Sequence, residues 1–241
     1  MKKTIATGMF CTFMFVLVST TVFAQNNPFS VSFSGGPAYL PLSDVVDFTQ
    51  AAGRHISDAG RRYISFEKDD PGSTIDIKIA YRINNWSNIA LHAERISIGA
   101  KGVSNHFWIG GILASVSEEW KFSAFPVGVS YELVLADRNS RFLPVAGIGT
   151  SLYISRMTRT DKCIGVCPQG FVLEGDKDNQ AGYGVQVYFE LQSSLNSTLY
   201  VNSRLRGRIA HGLTNTDFHV MEEYDVDFTG IDFTLGFGWR F

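Results

Sequence analysis

Acid–base or nucleophilic chemistry in this chain would have to begin at one of five histidines, His55, His92, His106, His211 and His219. An imidazole activates a hydroxyl nucleophile when a Ser lies within reach and a carboxylate fixes the ring tautomer from the other side. His219 has Glu222 and Glu223 close by but no neighbouring Ser, and in "AHGLTN" the residue two beyond His211 is Leu213. His92 stands two positions before Glu94, which puts both on one face of a strand as members of a polar network rather than as metal ligands. The acidic stretches "EGDKDN" (174–179) and "EEYDVD" (222–227) gather oxygens of the kind a divalent cation prefers. They lack the ordered spacing and turn Gly of an EF-hand loop, so a solvated charged loop accounts for them. The expectation is no catalytic residue, no cofactor and no metal.

Cysteine chemistry narrows to one pair. Cys11 lies inside an N-terminal apolar stretch, which leaves Cys163 and Cys167 in "DKCIGVCPQG". In an oxidising compartment so close a pair closes a tight disulfide loop. The competing reading, two of four metal ligands, finds no His within ten residues of the pair to help complete a tetrahedral site.

The elements that must carry these residues have a period of two. "TIDIKIAYRI" sets Ile75, Ile77, Ile79, Tyr81 and Ile83 against Asp76, Lys78, Ala80 and Arg82, and "FPVGVSYELVL" and "YGVQVYFELQ" alternate in the same way. Eight such segments are expected, at 29–40, 73–83, 89–99, 115–135, 142–157, 180–193, 199–210 and 227–241. The connections "NNWSN", "ADRNSR" and "SLNS" are short and rich in turn-forming Asn, Asp and Ser. Those at 41–72, 100–114, 158–179 and 211–226 are long and polar, with a short helical turn over 43–52 capped by Ser43. Short and long connections thus alternate along the whole chain. That asymmetry, with an even strand number and segments of about 10 residues, predicts an all-β fold, an eight-stranded antiparallel up-and-down transmembrane β-barrel.

The start of the chain agrees with export. Met1-Lys2-Lys3 supplies positive charge, Met9 to Val18 an apolar core, and Val22-Phe23-Ala24 a small-residue cleavage signal. Residues 1–24 therefore read as a signal peptide cleaved near Ala24, and 25–241 as the barrel. A membrane anchor would need about 20 apolar residues, and this core is half that length. With Lys+Arg 21 against Asp+Glu 23, no overall field points to nucleic acid as a partner.

Alternation by itself fits a soluble barrel too, with the faces reversed. Export, the many aromatics on the apolar face and the glycines on the polar face favour lipid outside. The polar face would then line the lumen with a charge network of Asp76, Lys78, Arg82, Glu94, Glu132, Glu190, Arg204, Arg206, Arg208, Asp232 and Arg240. Eight strands leave an interior that side chains fill, and the near balance of signs suits a salt-bridged plug. The register predicted for "RLRGR" sets its arginines beside Glu190 and Asp232. An anion-selective pore lined by those arginines is the alternative. Trp86, Phe237, Trp239 and Phe241 would lie at one membrane interface and Trp108 and Trp120 at the other.

The closing "FTLGFGWRF" resembles the C-terminal signal of bacterial outer-membrane β-barrels, which ends in Phe with aromatic or apolar residues at alternate positions. "FPVGVSYEL", "FLPVAGIGTSLYISR" and "RLRGRIAHGLTN" are similar to the porin-like outer-membrane β-barrel family common in Bacteroidetes and relatives. The resemblance implies an outer-membrane location and lipid contact. It also implies that Leu235, Phe237, Trp239 and Phe241 are read by the barrel-assembly machinery. The family has no single activity. The lipid A deacylase family carries His and Ser two residues apart on a strand, and Leu213 breaks that pattern here. The function expected is non-enzymatic, with the long outer loops serving structural, binding or adhesion roles toward an extracellular ligand. A small porin-like channel and a lipid-modifying enzyme are the alternatives.

Overall fold

The computed structural model describes residues 28–40, 62–68, 71–109, 112–164, 172–212 and 228–241. The signal peptide expected over 1–24, the helical turn expected over 43–52 and the expected partner of Cys163, Cys167, together with His55 and His219, lie outside the described residues.

Among the described residues there are nine strands: β1 Phe29–Tyr39, β2 Arg62–Lys68, β3 Gly72–Arg82, β4 Ser87–Ile109, β5 Ile112–Val134, β6 Phe142–Ile164, β7 Val172–Ser194, β8 Leu199–Gly212 and β9 Gly230–Arg240. All except β2 form one antiparallel ring, in which each strand pairs with its successor and β9 returns to β1. At that seam Ser30 faces Arg240 and Phe33 faces Phe237, and the Phe241 N–H donates to the Phe29 carbonyl at 2.8 Å. Closure leaves the ring without an open edge, as a strand structure in hydrocarbon requires.

The short connections owe their tightness to side chains that mimic backbone turns. The Asn196 side-chain oxygen accepts from the N–H groups of Thr198 and Leu199 at 2.9 and 2.6 Å. Asp137 accepts from Asn139 N–H at 2.9 Å, and Asn84 from Trp86 N–H at 2.8 Å. Such Asx turns are why Asn and Asp dominate these positions.

Two of the connections read as long loops are strand instead. Residues 100–109 and 112–114 continue β4 and β5, and 158–164 and 172–179 continue β6 and β7, so that all four strands run for 23 residues. A third connection, 41–72, contains β2, which pairs with 100–105 of β4. These extensions pair with β2 and with one another as one continuous sheet, and such a sheet is held by ladder hydrogen bonds whether or not one face is apolar. Segments such as "KGVSNH" therefore carry no hydrophobic period to betray a strand.

Burial follows the period of two with the usual sign reversed. Ile75, Leu152 and Tyr183 are 61, 70 and 60% exposed, whereas Arg204 and Arg206 are 0% exposed. In β3 the exposed row is Ile75, Ile77, Ile79 and Tyr81, and the buried row is Thr74, Asp76, Lys78 and Ala80. The apolar rows span roughly 10 residues, which at about 3.3 Å each and a tilt near 40° make a band of about 25 Å. Aromatics mark its turn-side edge. Phe29 packs on Tyr81 at 5.0 Å, and Trp239 meets Phe237 and Phe33 edge-on at 5.1 and 6.2 Å. Trp86 stands exposed in the adjoining turn.

Candidate functional site

The interior of the barrel is built from the inward-facing positions of all eight ring strands. Its middle holds the cations Lys78, Arg204, Arg206 and Arg208 and the carboxylates Asp76, Glu94, Glu132, Glu190 and Asp232, all buried. Alternation within each strand delivers them to the inside, and the ladder sets their heights: Arg204 lies beside Glu190, Arg206 beside Asp232, and Asp76 beside Glu94.

On the turn side, Lys78 donates to Glu132 and to Glu190, each at 2.8 Å. Arg204 donates to Glu190 at 2.8 Å and pairs with Asp76 across the lumen. Asn88 and Gln192 occupy further carboxylate oxygens of Glu132 and Glu190 at 2.7 and 2.8 Å. On the loop side, Arg206 holds Asp232 through its Nε at 3.0 Å and also pairs with Glu94. Arg208 donates to Glu94 at 3.0 Å and pairs with Asp232. Lys78–Glu190, Arg204–Asp76 and Arg206–Glu94 join strands that are not neighbours in the ring. These bonds therefore cross-brace opposite walls, and each ion gains the several partners that its removal from water demands.

Beyond the ionic layers, toward the loops, the lumen becomes apolar. Leu40, Ile96, Ile98, Phe122 and Phe228 are buried there. An apolar constriction of this kind opposes a continuous column of water, as hydrophobic gates do by dewetting.

Tyr188 sits at the centre of the turn-side layer. Its hydroxyl donates to Glu132 at 2.8 Å, and its ring carries Arg204 at 5.3 Å and Lys78 at 5.9 Å from the centroid. Space for that ring comes from Gly147 on β6, where a Cβ would lie 2.2 Å from the Tyr188 Cζ. Gly147→Ala should therefore displace the phenol and cost about 1–3 kcal/mol of stability by overpacking. Denaturant unfolding of the refolded protein in lipid vesicles checks this, and an unchanged midpoint would refute the packing role.

A Ser–His–Asp connectivity is present that sequence spacing missed. His92 Nε2 lies 2.8 Å from Ser130 Oγ, and His92 Nδ1 lies 3.6 Å from Asp76. Proton order argues against a nucleophile. Tyr188 gives its proton to Glu132, so at 2.8 Å Ser130 gives its own to Tyr188, leaving His92 as donor to Ser130 rather than base. All three residues are also buried. Asp76, His92 and Glu94 lie close enough to suggest a metal cluster. Arg204, Arg206 and Arg208 already hold those carboxylates and would repel a cation.

The other residues singled out in the sequence stand elsewhere. Arg82 and Arg240 are half-buried at the turn-side mouth, apart from the ionic layers. Leu235 and Phe237 point outward, and Trp239 and Phe241 are partly covered at the seam. His211 is exposed on the outer wall, 6.5 Å from the Tyr183 ring. Tyr188, Asn88, Gln192 and Ser130 were the missed partners. Strand phase was the available signal for them, because each occupies an inward position.

A closed eight-stranded antiparallel ring with an apolar belt outside and paired charges within belongs to the class of transmembrane β-barrels. The outer membrane protein OprG of Pseudomonas aeruginosa has a similar fold, with a TM-score of 0.50 at 12% identity over 90% of this chain and 98% of that one. Neisserial surface protein A is a further neighbour, with a TM-score of 0.40, 10% identity, and 89 and 97% of the two chains covered. The attachment invasion locus protein Ail of Yersinia pestis, solved with the heparin analogue sucrose octasulfate, has a TM-score of 0.41 at 10% identity over 88 and 96%. No protein-family model and no curated protein matches the sequence.

Proposed function

We propose that this chain is a non-enzymatic integral protein of the bacterial outer membrane, a closed barrel that carries its outer hairpins and loops as a structural or ligand-binding surface. The observation that supports it most is the inversion of burial: Leu152 faces outward while Arg204 is enclosed. A lipid surround stabilises that arrangement and water does not. The signal peptide over 1–24 and the aromatic ending Leu235, Phe237, Trp239, Phe241 fit export followed by reading of the terminal strand by the barrel-assembly machinery. The loose motif resemblance to porin-like barrels of Bacteroidetes fits the same location.

On this reading the cross-braced ions and the apolar layer beyond them keep the lumen shut. Purified protein in planar bilayers is expected to give no steady large conductance, and stable anion-selective pores would overturn the closed-lumen reading in favour of a small channel. Electrophoresis with and without boiling should show a heat-dependent mobility shift. Recovery of the protein in the soluble periplasmic fraction would defeat the membrane assignment. Identical lipid A mass spectra from cells with and without the gene are expected, and a changed acylation pattern would point to a lipid-modifying enzyme.

A further inference from the structure

At the turn-side mouth, outside the ionic layers, lies a cavity of about 450 Å³. Three guanidinium groups line it, those of Arg82, Arg138 and Arg240, and none of its described lining residues is acidic. This reverses the rule that holds deeper in the lumen, where every described cation has a carboxylate. Two of the three arginines are positioned by neutral acceptors. Arg138 in the β5–β6 turn donates to the carbonyls of Asn84 and Asn85, each at 2.9 Å, and to the Asn88 side chain at 2.7 Å. Arg240 donates to Ser194 and Gln192, each at 3.0 Å, and lies over the Tyr200 ring at 4.7 Å. Arg82 has no side-chain hydrogen bond or ion pair among the described residues and shares the cavity with both. Burial, then Arg82 and Arg240, pull Arg138 below the usual guanidinium range, with the deeper Glu132 opposing. Burial and the two neighbouring guanidiniums thus act on Arg138 in the same direction. Asn139, Ser194, Asn196 and Ser197 add hydroxyl and amide donors to the wall.

We propose that this vestibule is a binding site for a phosphate-class oxyanion, taken by the free fork of Arg82 between Arg138 and Arg240. Guanidinium forks match the oxygens of phosphate two at a time, and the anion would relieve the repulsion among the three cations. The volume admits a small organophosphate as well as inorganic phosphate. A phospholipid headgroup folded in from the surrounding leaflet offers the same chemistry.

The test uses the whole mature chain, refolded in zwitterionic detergent and titrated calorimetrically with inorganic phosphate and with glycerol 3-phosphate. Binding of at least one probe is expected, weakening as salt rises. R82Q should weaken it at least about tenfold, R82K less, and R141Q, whose side chain lies outside the cavity, not at all. Heat-dependent gel mobility confirms that each variant is folded, and R82K keeps the test sound should R82Q fail to fold. Native mass spectrometry from nanodiscs, with and without phosphatidylglycerol, separates the two sources. Lipid retained by the wild type but not by the Arg82 variants identifies the headgroup, whereas binding of the soluble probes alone identifies a free phosphate. Equal affinity in wild type, R82Q and R82K, or no binding of phosphate, glycerol 3-phosphate or phosphatidylglycerol by the wild type, would overturn the proposal.

Discussion

Asp232→Ala should lower the unfolding free energy of the barrel by about 3–5 kcal/mol, the range for breaking a buried ion pair from one side. Asp232 takes two arginines at once, Arg206 and Arg208. Without it both guanidiniums fall back on Glu94, with Gln186 a weak further acceptor for Arg206 at 3.4 Å. Two buried cations would then share one carboxylate in a region that water does not reach. Replacing both members of a pair by apolar residues of similar volume should cost less, because no ion is left stranded. The double variant R208M/D232L is therefore expected to be more stable than the sum of its two single changes implies, by about 0.5–3 kcal/mol of coupling. Urea titrations of the protein in lipid vesicles, followed by Trp fluorescence, measure all four corners of the cycle. A loss within error for Asp232→Ala would mean that the lumen charges are hydrated and that the cross-brace carries little.

Leu235→Arg probes the other face, with an expected loss of about 2–4 kcal/mol for a cation at the bilayer midplane. Leu235 stands halfway along β9, is 59% exposed, and has Gly35 and Ser203 as its register neighbours. Neither neighbour offers a carboxylate. The same substitution at Trp239, four residues nearer the turn-side rim, should cost no more than about 1 kcal/mol in charge transfer, since the penalty falls toward the interface. The gradient is the diagnostic result. Equal effects at the two sites, or none at Leu235, would contradict a membrane-embedded band centred on that height.

The ring was legible in the sequence wherever an exposed apolar row alternates with a buried polar one. "TIDIKIAYRI" betrays strand, length and facing at once, because Ile75 to Ile83 must be apolar and Asp76 to Arg82 need not be. The turns were legible because Asn84, Asp137 and Asn196 use their side chains to close them. What stayed hidden obeys different physics. Residues 100–109 extend β4 with a sequence, "AKGVSNHFWI", that does not alternate apolar with polar residues, so no period of two was there to read. Cross-lumen partners were hidden for a second reason. Phase places Arg204 and Asp76 on the inside, but only the curvature of the closed ring brings β8 opposite β3. Ser130 and His92 were missed because a search by short sequence spacing cannot find a pair on adjacent strands 38 positions apart. Arg138 gave no signal at all, since an Arg in a polar turn is ordinary until the turn is seen against its neighbours.

The seam between β1 and β9 joins the first described strand to the last. Such a closure pairs residues about 200 positions apart, Ser30 with Arg240, and its loop-entropy cost is met only when β9 arrives. A chain released one strand early would keep two unpaired edges, those of β1 and β8, each facing hydrocarbon with unsatisfied N–H and C=O groups. Pairing of β1 with β9 is thus the one contact that removes both edges together, and the ring has no half-closed form in which every strand is satisfied.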